Sequence, residues 1–361
     1  MVYQVLAVIP EYSAESTEDV FALGNQHIPG VSVVGVLRHN HPEDYAAAAN
    51  YIIENVNVVS IQHEFGLFSG EAEALLPCLL QLINKPVVTT FHTVTEVLGS
   101  VPESVLVQIH RLGTATIALS HIGELIMSNV YNVGNLDKLN FIPHGAESYK
   151  TIDNTKTKSQ YGWDNKFVIL SLGIHHRAKG FHVMISAMPA ILKRVPNAIF
   201  VIAGQAGQSC GEGCDDYAKL LKDRIKSLHV EDHVVFVDRY LSDSEIYSIM
   251  HACDVYASLL TSDIVSSSGT VSRAIAAGRA VIATPFLYAK EVLSHGRGIL
   301  VPFDNAEATA AAVIRLGTDS DVRVLMQRNA FEYSQKTMMW PSVVDRHITL
   351  FREFGQNGEL P

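Results

Sequence analysis

Short runs of Val, Ile and Leu recur along this chain without polar residues at alternate positions, each followed by a stretch of helical length. A strand with one wet face alternates apolar and polar residues. A continuously apolar strand is covered on both faces, the condition of a parallel sheet packed between helices. In the first half the runs fall at 3–9, 31–37, 57–62, 86–92, 115–120 and 139–143, with helix-like segments at 42–55, 71–83 and 121–130. They imply a parallel sheet covered by helices. The polar stretch 149–159 then reads as an interdomain linker, with little apolar content to bury. Beyond it the alternation restarts, with strands at 167–172, 198–203, 234–237, 255–260, 280–284 and 299–302. Helices fit 181–194, 215–229, 242–252, 270–277 and 289–294, and Ser242 with Glu245 forms a capping box at the start of one of them. The tail, from about 321 to 354, reads as two long helices meeting near Trp340-Pro341. The pattern implies an α/β chain of two successive open sheets.

In such sheets ligands bind beyond the carboxyl ends of the strands. Two stretches there carry chemistry. Ser266-Ser267-Ser268-Gly269-Thr270 opens a short helix that Gly278 closes. Small residues at a helix start leave backbone N–H groups uncovered, and with the helix dipole these form an anion site. The alternative is a plain N-cap, since serine and threonine cap helices generally. The second stretch follows the strand FVILSL: Gly173, Ile174, His175, His176, Arg177, Ala178, Lys179, Gly180. A strand ending in a glycine turn, then Arg177 and Lys179, then a helix, supplies a cationic wall for the same phosphate, and a nucleotide diphosphate fits between the two. Solvated surface cations are the alternative. In the first half, Pro10-Glu11-Tyr12, His63-Glu64-Phe65-Gly66 and His92-Thr93 occupy the equivalent edge. His92 and His63 suit contact with a sugar hydroxyl or proton transfer, against packed histidines bonded to a neighbouring carbonyl. His144-Gly145 reads as an interdomain turn lining the cleft.

At 361 residues the chain exceeds one ordinary core and suits two domains. Its net charge of −10 argues against broad nucleic-acid binding or a polybasic membrane patch; contact with a membrane surface is not indicated. No apolar run reaches the roughly 20 residues of a spanning helix, and the N-terminus shows no signal-peptide pattern, so a cytoplasmic location is expected. Of four cysteines, only Cys210 and Cys214 are close; no second Cys/His pair accompanies them, so a reduced loop is expected rather than a metal clip.

IQHEFGLFSGEAEALL, PVVTTFHTV, FIPHG, the strand leading to Lys179-Gly180, DRYLSDSEIYSIMHACDVYASLL, and SSGTVSRAIAAGRAVIATPFLYAKEVL followed by GRGILVPF resemble, in order and spacing, retaining glycosyltransferases of family 4. The resemblance runs from about Val56 to Trp340. It implies the GT-B fold: two Rossmann-like domains facing each other across a cleft, with a C-terminal helix crossing back. The spans would be 1–160 for the acceptor domain, joined by the helix at about 341–361, and 161–340 for the nucleotide-sugar domain. By position, Lys179 resembles the diphosphate-binding lysine and His92 the histidine near the transferring sugar. Glu291 resembles an acidic position after the strand that follows the serine turn. The chain departs from the family at Val265 and Arg273, where two glutamates are usual, one reaching toward the sugar and one binding the ribose. Ile174 stands where arginine is usual, leaving Arg177 to substitute, and PEYSAESTEDV replaces a glycine-rich first loop.

The implied reaction moves a hexosyl group from a nucleoside diphosphate sugar to a hydroxyl acceptor with retention, in polysaccharide biosynthesis. Lys179, Arg177 and the amides of Ser267 to Thr270 would stabilise the charge growing on the leaving diphosphate, with no metal or other cofactor required. UDP-glucose is the expected donor, by resemblance, with its base near Arg239 and Tyr240. The acceptor would be a glycan or lipid-linked sugar. Rival readings are a nucleotide-sugar epimerase of the same fold, a phosphorylase, and a non-catalytic nucleotide-sugar binding subunit, the last favoured by Val265 and Arg273.

Overall fold

The computed structural model describes residues 5–10, 31–38, 41–65, 71–95, 103–150, 153–205 and 214–355. Pro10 therefore has neighbours, Glu11 and Tyr12, that lie outside the described residues, as do Gly66 and Cys210. The chain divides into two compact units, Met1–Ile142 with Arg346–Pro361, and Pro143–Asp345.

In the first unit β1 (Val5–Pro10) and β2 (Val31–Leu37) pair in parallel. Next come α1 (Pro42–Asn55), β3 (Val59–His63), α2 (Glu71–Leu82), β4 (Val87–Phe91) and α3 (Glu103–Leu112). β5 (Ala115–Ala118), α4 (His121–Leu125), a π-helical turn (Ile126–Val130) and β6 (Leu139–Phe141) complete it. Pro42 opens α1, where its missing N–H costs nothing. Strands β3 to β6 form one parallel sheet, and β1 and β2 a separate two-stranded one. Apolar continuity reports that both faces of a strand are covered, not which strand lies beside it; the split into two sheets is therefore absent from the pattern.

The second unit carries α5 (Thr155–Gln160), β7 (Phe167–Leu172), α6 (Phe181–Leu192), β8 (Ala198–Ala203), α7 (Cys214–Ser227), β9 (Val234–Val237) and α8 (Asp243–Ala252). It continues through β10 (Val255–Ser258), α9 (Gly269–Ala276), β11 (Ala280–Ala283), α10 (Leu287–Val292), β12 (Gly298–Leu300), α11 (Ala306–Thr318) and α12 (Ser320–Thr337). A last helix, α13 (Trp340–Gly355), holds Pro341 in its first turn. Its residues up to Asp345 belong to the second unit and those from Arg346 to the first.

The six parallel strands run in the order β12-β11-β10-β7-β8-β9. Within β7, Val168, Leu170 and Leu172 enter one core while Phe167 and Ile169 enter the other. Successive side chains point to opposite faces, so this division is what a continuously apolar strand requires. The capping box at Ser242 is present, and Gly278 takes a positive φ directly after α9.

The stretch 149–159 is not a linker. Tyr149 is buried and stacks on Tyr247 at 4.1 Å. The Asn154 side chain donates to Cys253 O at 2.9 Å, and Lys158 Nζ meets the buried Asp254 carboxylate at 2.6 Å. Asp254 Oδ2 also accepts from the Val168 N–H of β7. A carboxylate taken out of water needs a cation beside it, and the polar stretch delivers one. Low apolar content marked a segment whose work is to satisfy a buried charge.

Candidate functional site

Chain order in the second sheet reverses at one place. From β7 the chain moves outward through β8 and β9, then returns to β10 on β7's other side. Loops leaving β7 and β10 therefore diverge to opposite sides, and this crevice is where open α/β sheets take ligands. The two stretches singled out from sequence leave these two strands.

After β7, Gly173 turns at φ 144° and the Arg177–Lys179 turn follows. A Cβ on Gly173 would stand 3.1 Å from Lys179 Cε and 3.4 Å from Cδ, so the lysine stem lies across the bare Gly173 backbone. Gly180 has φ 67°, and a Cβ there would stand 1.9 Å from Leu259 O, just past β10. Ala178 O accepts from Thr261 N–H at 3.1 Å. The cationic turn is thus clamped directly onto the β10 exit. Among the described residues no carboxylate pairs with Lys179, and burial lowers the pKa of its ammonium. A half-buried cation held without a counter-ion is a charge prepared for an anion. Arg177 is exposed beside it, and Ile174 is 42% exposed.

After β10, Ser268 is the N-cap of α9: its side chain accepts the Val271 N–H at 3.4 Å. Ser266 is buried and Ser267 half-buried. Capping falls to Ser268 of the three serines, and the first-turn amides of Gly269 and Thr270 have no protein acceptor among the described residues. The open donors thus begin at Gly269. His144 stands over this end of the helix, its Nε2 2.9 Å from where a Gly269 Cβ would be.

Arg239 and Tyr240 leave β9, two strands beyond β7. Arg239 is held by Glu245 Oε1 at 2.6 Å, which keeps the Glu245 carboxyl down at about 2; Tyr240 is 72% exposed. Glu291 lies on the second turn of α10, where its charge acts on Arg297 and Tyr333. Lys179, Arg177, Gly173 and the Ser266–Thr270 turn are brought to one crevice, Arg239 and Tyr240 to the same sheet edge farther along, and Glu291 to a helix flank.

Two departures from the resembled family take physical form here. Val265 packs against the apolar core, and its carbonyl accepts the Tyr288 N–H at the start of α10. Arg273, one turn into α9 from Gly269, pairs with Glu147 at 3.1 Å and Asp243 at 2.8 Å. Glu147 was not visible as a site residue in the sequence; its only signal is adjacency to FIPHG.

In the first unit, His92 lies one residue past β4, its Nε2 2.8 Å from Gln62 Oε1 on β3. Thr93 Oγ1 donates to Glu64 at 2.9 Å. His63 is fully buried against Phe65 and Phe91; burial, then the nearby His92, bring its pKa down to about 4. No group of three or more metal-ligating side chains occurs among the described residues, nor any helix long and apolar enough to cross a membrane.

The family model for glycosyl transferases group 1 matches residues 153–333, half of the chain. A phosphatidyl-myo-inositol mannosyltransferase of Mycolicibacterium smegmatis is 27% identical over 256 residues, 70% of this chain and 61% of that protein. A mannosylfructose-phosphate synthase of Agrobacterium fabrum is 28% identical over 47% of this chain and 38% of its own length. The chain thus spans less than two thirds of these relatives. Among solved structures, Anabaena HepE in complex with UDP superposes with a TM-score of 0.77 at 17% identity, covering 97% of this chain and 100% of that one. Sucrose-phosphate synthase from Thermosynechococcus elongatus gives 0.73 at 16% identity, over 97% and 99%. With two parallel α/β units of the GT-B fold, and with that match over its second unit, the chain belongs to the glycosyl transferases group 1.

Proposed function

We propose that this chain is a retaining glycosyltransferase that moves a hexosyl group from a UDP-sugar, UDP-glucose first, to a hydroxyl of a glycan or lipid-linked acceptor in polysaccharide or glycolipid synthesis. The observation that carries the reading is the pairing, at the β7/β10 switch point, of Lys179, an ammonium with no carboxylate partner among the described residues, with the amides of Gly269 and Thr270, which have no acceptor among those residues. Both act on negative charge. As the glycosidic bond stretches, charge accumulates on the leaving diphosphate, and fixed donors in place before reaction stabilise it without reorganising. Arg177, exposed on the same turn, adds a second cation. Lys179 and Arg177 so placed need no metal for this step. The leaving phosphate, on the same face as the acceptor, takes the acceptor's proton, which gives retention without a protein nucleophile.

Strands stand ~4.8 Å apart, so β9 lies about 10 Å from β7. That is the reach of a nucleoside extended from a diphosphate at β7, and it brings the base to Arg239 and Tyr240. His92 serves the acceptor side. UDP is supported by HepE, whose structures hold UDP, and UDP with glucose. A mannosyl donor is the second reading, favoured by relatives named mannosyltransferases.

Incubation with a panel of UDP- and GDP-linked glucose and mannose, with and without glycan and lipid-linked acceptors, tests this. Acceptor-dependent release of UDP is the expected result. Turnover of free donor alone would make the chain an epimerase or hydrolase. Tight binding with no turnover on any acceptor would make it a binding subunit.

A further inference from the structure

Residues 143–147 are pinned at Ala146, which forms a parallel bridge with Met339. Ala146 N–H donates to Met338 O at 2.8 Å, and Trp340 N–H to Ala146 O at 3.2 Å. The Trp340 ring lies so close over Gly145 that any Cβ there would stand 2.2 Å from it. Glu147 then meets Arg273 at 3.1 Å. Arg273 is four residues, about one turn, after Gly269, and His144 meets Gly269 itself. The segment therefore runs alongside α9, with His144 at the end where the amides open.

The protonation of His144 follows from its partners. Nδ1 lies 2.8 Å from Gly145 O. A carbonyl only accepts, so Nδ1 carries a proton, and in the neutral ring Nε2 is left with a lone pair. That lone pair lies beside Gly269, the first of the two residues with open N–H groups, Nε2 standing 2.9 Å from where a Gly269 Cβ would be. An anion there is repelled unless the ring takes a second proton, after which Nε2–H donates to it. We propose that His144 is a further ligand of the donor diphosphate, binding it as the imidazolium, so that nucleotide binding takes up one proton from solvent.

The inference rests on reading the α9 N-terminus as the diphosphate site. The charges bearing on the ring are Arg273 from α9 and Glu147 from its own segment; Trp340, from α13, presents an uncharged ring. Burial, and then Arg273, hold the free imidazole's pKa below its ordinary value against the pull of the Gly145 carbonyl and Glu147. A bound diphosphate raises it. Between the free and bound values binding consumes a proton, so affinity falls as pH rises through the bound-state pKa, by up to about tenfold per pH unit.

Calorimetric titration with UDP near neutral pH, in two buffers of very different ionisation enthalpy, reads the proton directly. His144→Gln keeps a neutral donor of similar reach that cannot titrate, and UDP's own ionisation is common to both proteins. Wild type should take up most of one proton more than His144→Gln, and the variant should bind UDP up to about tenfold more weakly with a flatter pH profile. Equal uptake by both, with UDP bound by both, overturns the proposal and leaves the donor site standing. Absence of UDP binding by wild type removes both readings. Imidazole NMR of the wild type is the second measurement: UDP must move the His144 titration to higher pH, and an unmoved midpoint overturns the role of His144.

Discussion

At the carboxyl ends of the second unit's strands, donors are left open; at the same ends in the first unit, polar side chains have met one another. Among the described residues Lys179, lying over Gly173, meets no carboxylate, and two amides of α9 have no acceptor. By contrast His92 is bonded to Gln62 and Thr93 to Glu64, while His63 is buried among aromatic rings. The first arrangement suits a ligand of fixed, high charge. The second is a polar surface that a neutral hydroxyl ligand can enter by exchanging hydrogen bonds. Under the proposed function the phosphate would be held by neighbouring backbone amides and one cationic turn, whose signature is local, whereas an acceptor would meet side chains from several loops, which leave none.

The sharpest way to break this contrast is at Gly180. Gly180→Ala brings a Cβ against Leu259 O at a positive φ. It should cost ~3 kcal/mol or more, since the strained backbone alone costs ~1–3. Chemical denaturation followed in the second unit checks it. A loss below ~1 kcal/mol would mean that the clamp between the β7 and β10 exits is loose.

The next test lies in the first unit. With its pKa brought down to about 4, His63 stays neutral in the fold while the unfolded chain protonates it near 6.5. Stability is therefore fully present above pH 6.5 and lost as pH falls toward 4, by ~3 kcal/mol in order of magnitude. His63→Leu should flatten the slope of unfolding free energy across that window. Parallel slopes for the two proteins would show that His63 titrates normally.

Lys179→Ala should weaken UDP binding by ~1.5–3 kcal/mol, the size of a lost charge-assisted bond, with folding stability unchanged or slightly raised. Calorimetry with unchanged UDP affinity would remove Lys179 from the site and erase the contrast between the two edges. His92→Ala has the smallest expected effect on nucleotide binding, under ~0.5 kcal/mol, while transfer falls by at least about tenfold. Equal losses in binding and transfer would reassign His92 to packing.

The parallel sheets, the cationic turn, the serine turn, the capping box at Ser242 and Pro341 at a helix start are all legible in order along the chain. Each is specified by residues within a few positions of one another, through burial periodicity, missing N–H groups or side-chain caps. The division of the first unit into two sheets was not legible, because a run of Val and Ile says that a strand is covered but not what it pairs with. Nor was the role of 149–159, whose polar residues serve Asp254 and the carbonyls beside it, about a hundred residues later in the chain.

The sequence by itself determined that strands buried on both faces would be followed by an ammonium turn and a serine-capped helix, because those are short-range properties of backbone and side chain. Only the tertiary structure decided that β7 and β10 are neighbours, that among the described residues Lys179 meets no carboxylate while Arg273 meets two, and that His144 stands over Gly269. Those facts depend on which distant segments fill the space around a group. Packing settles that for the molecule as a whole, and no window of sequence contains it.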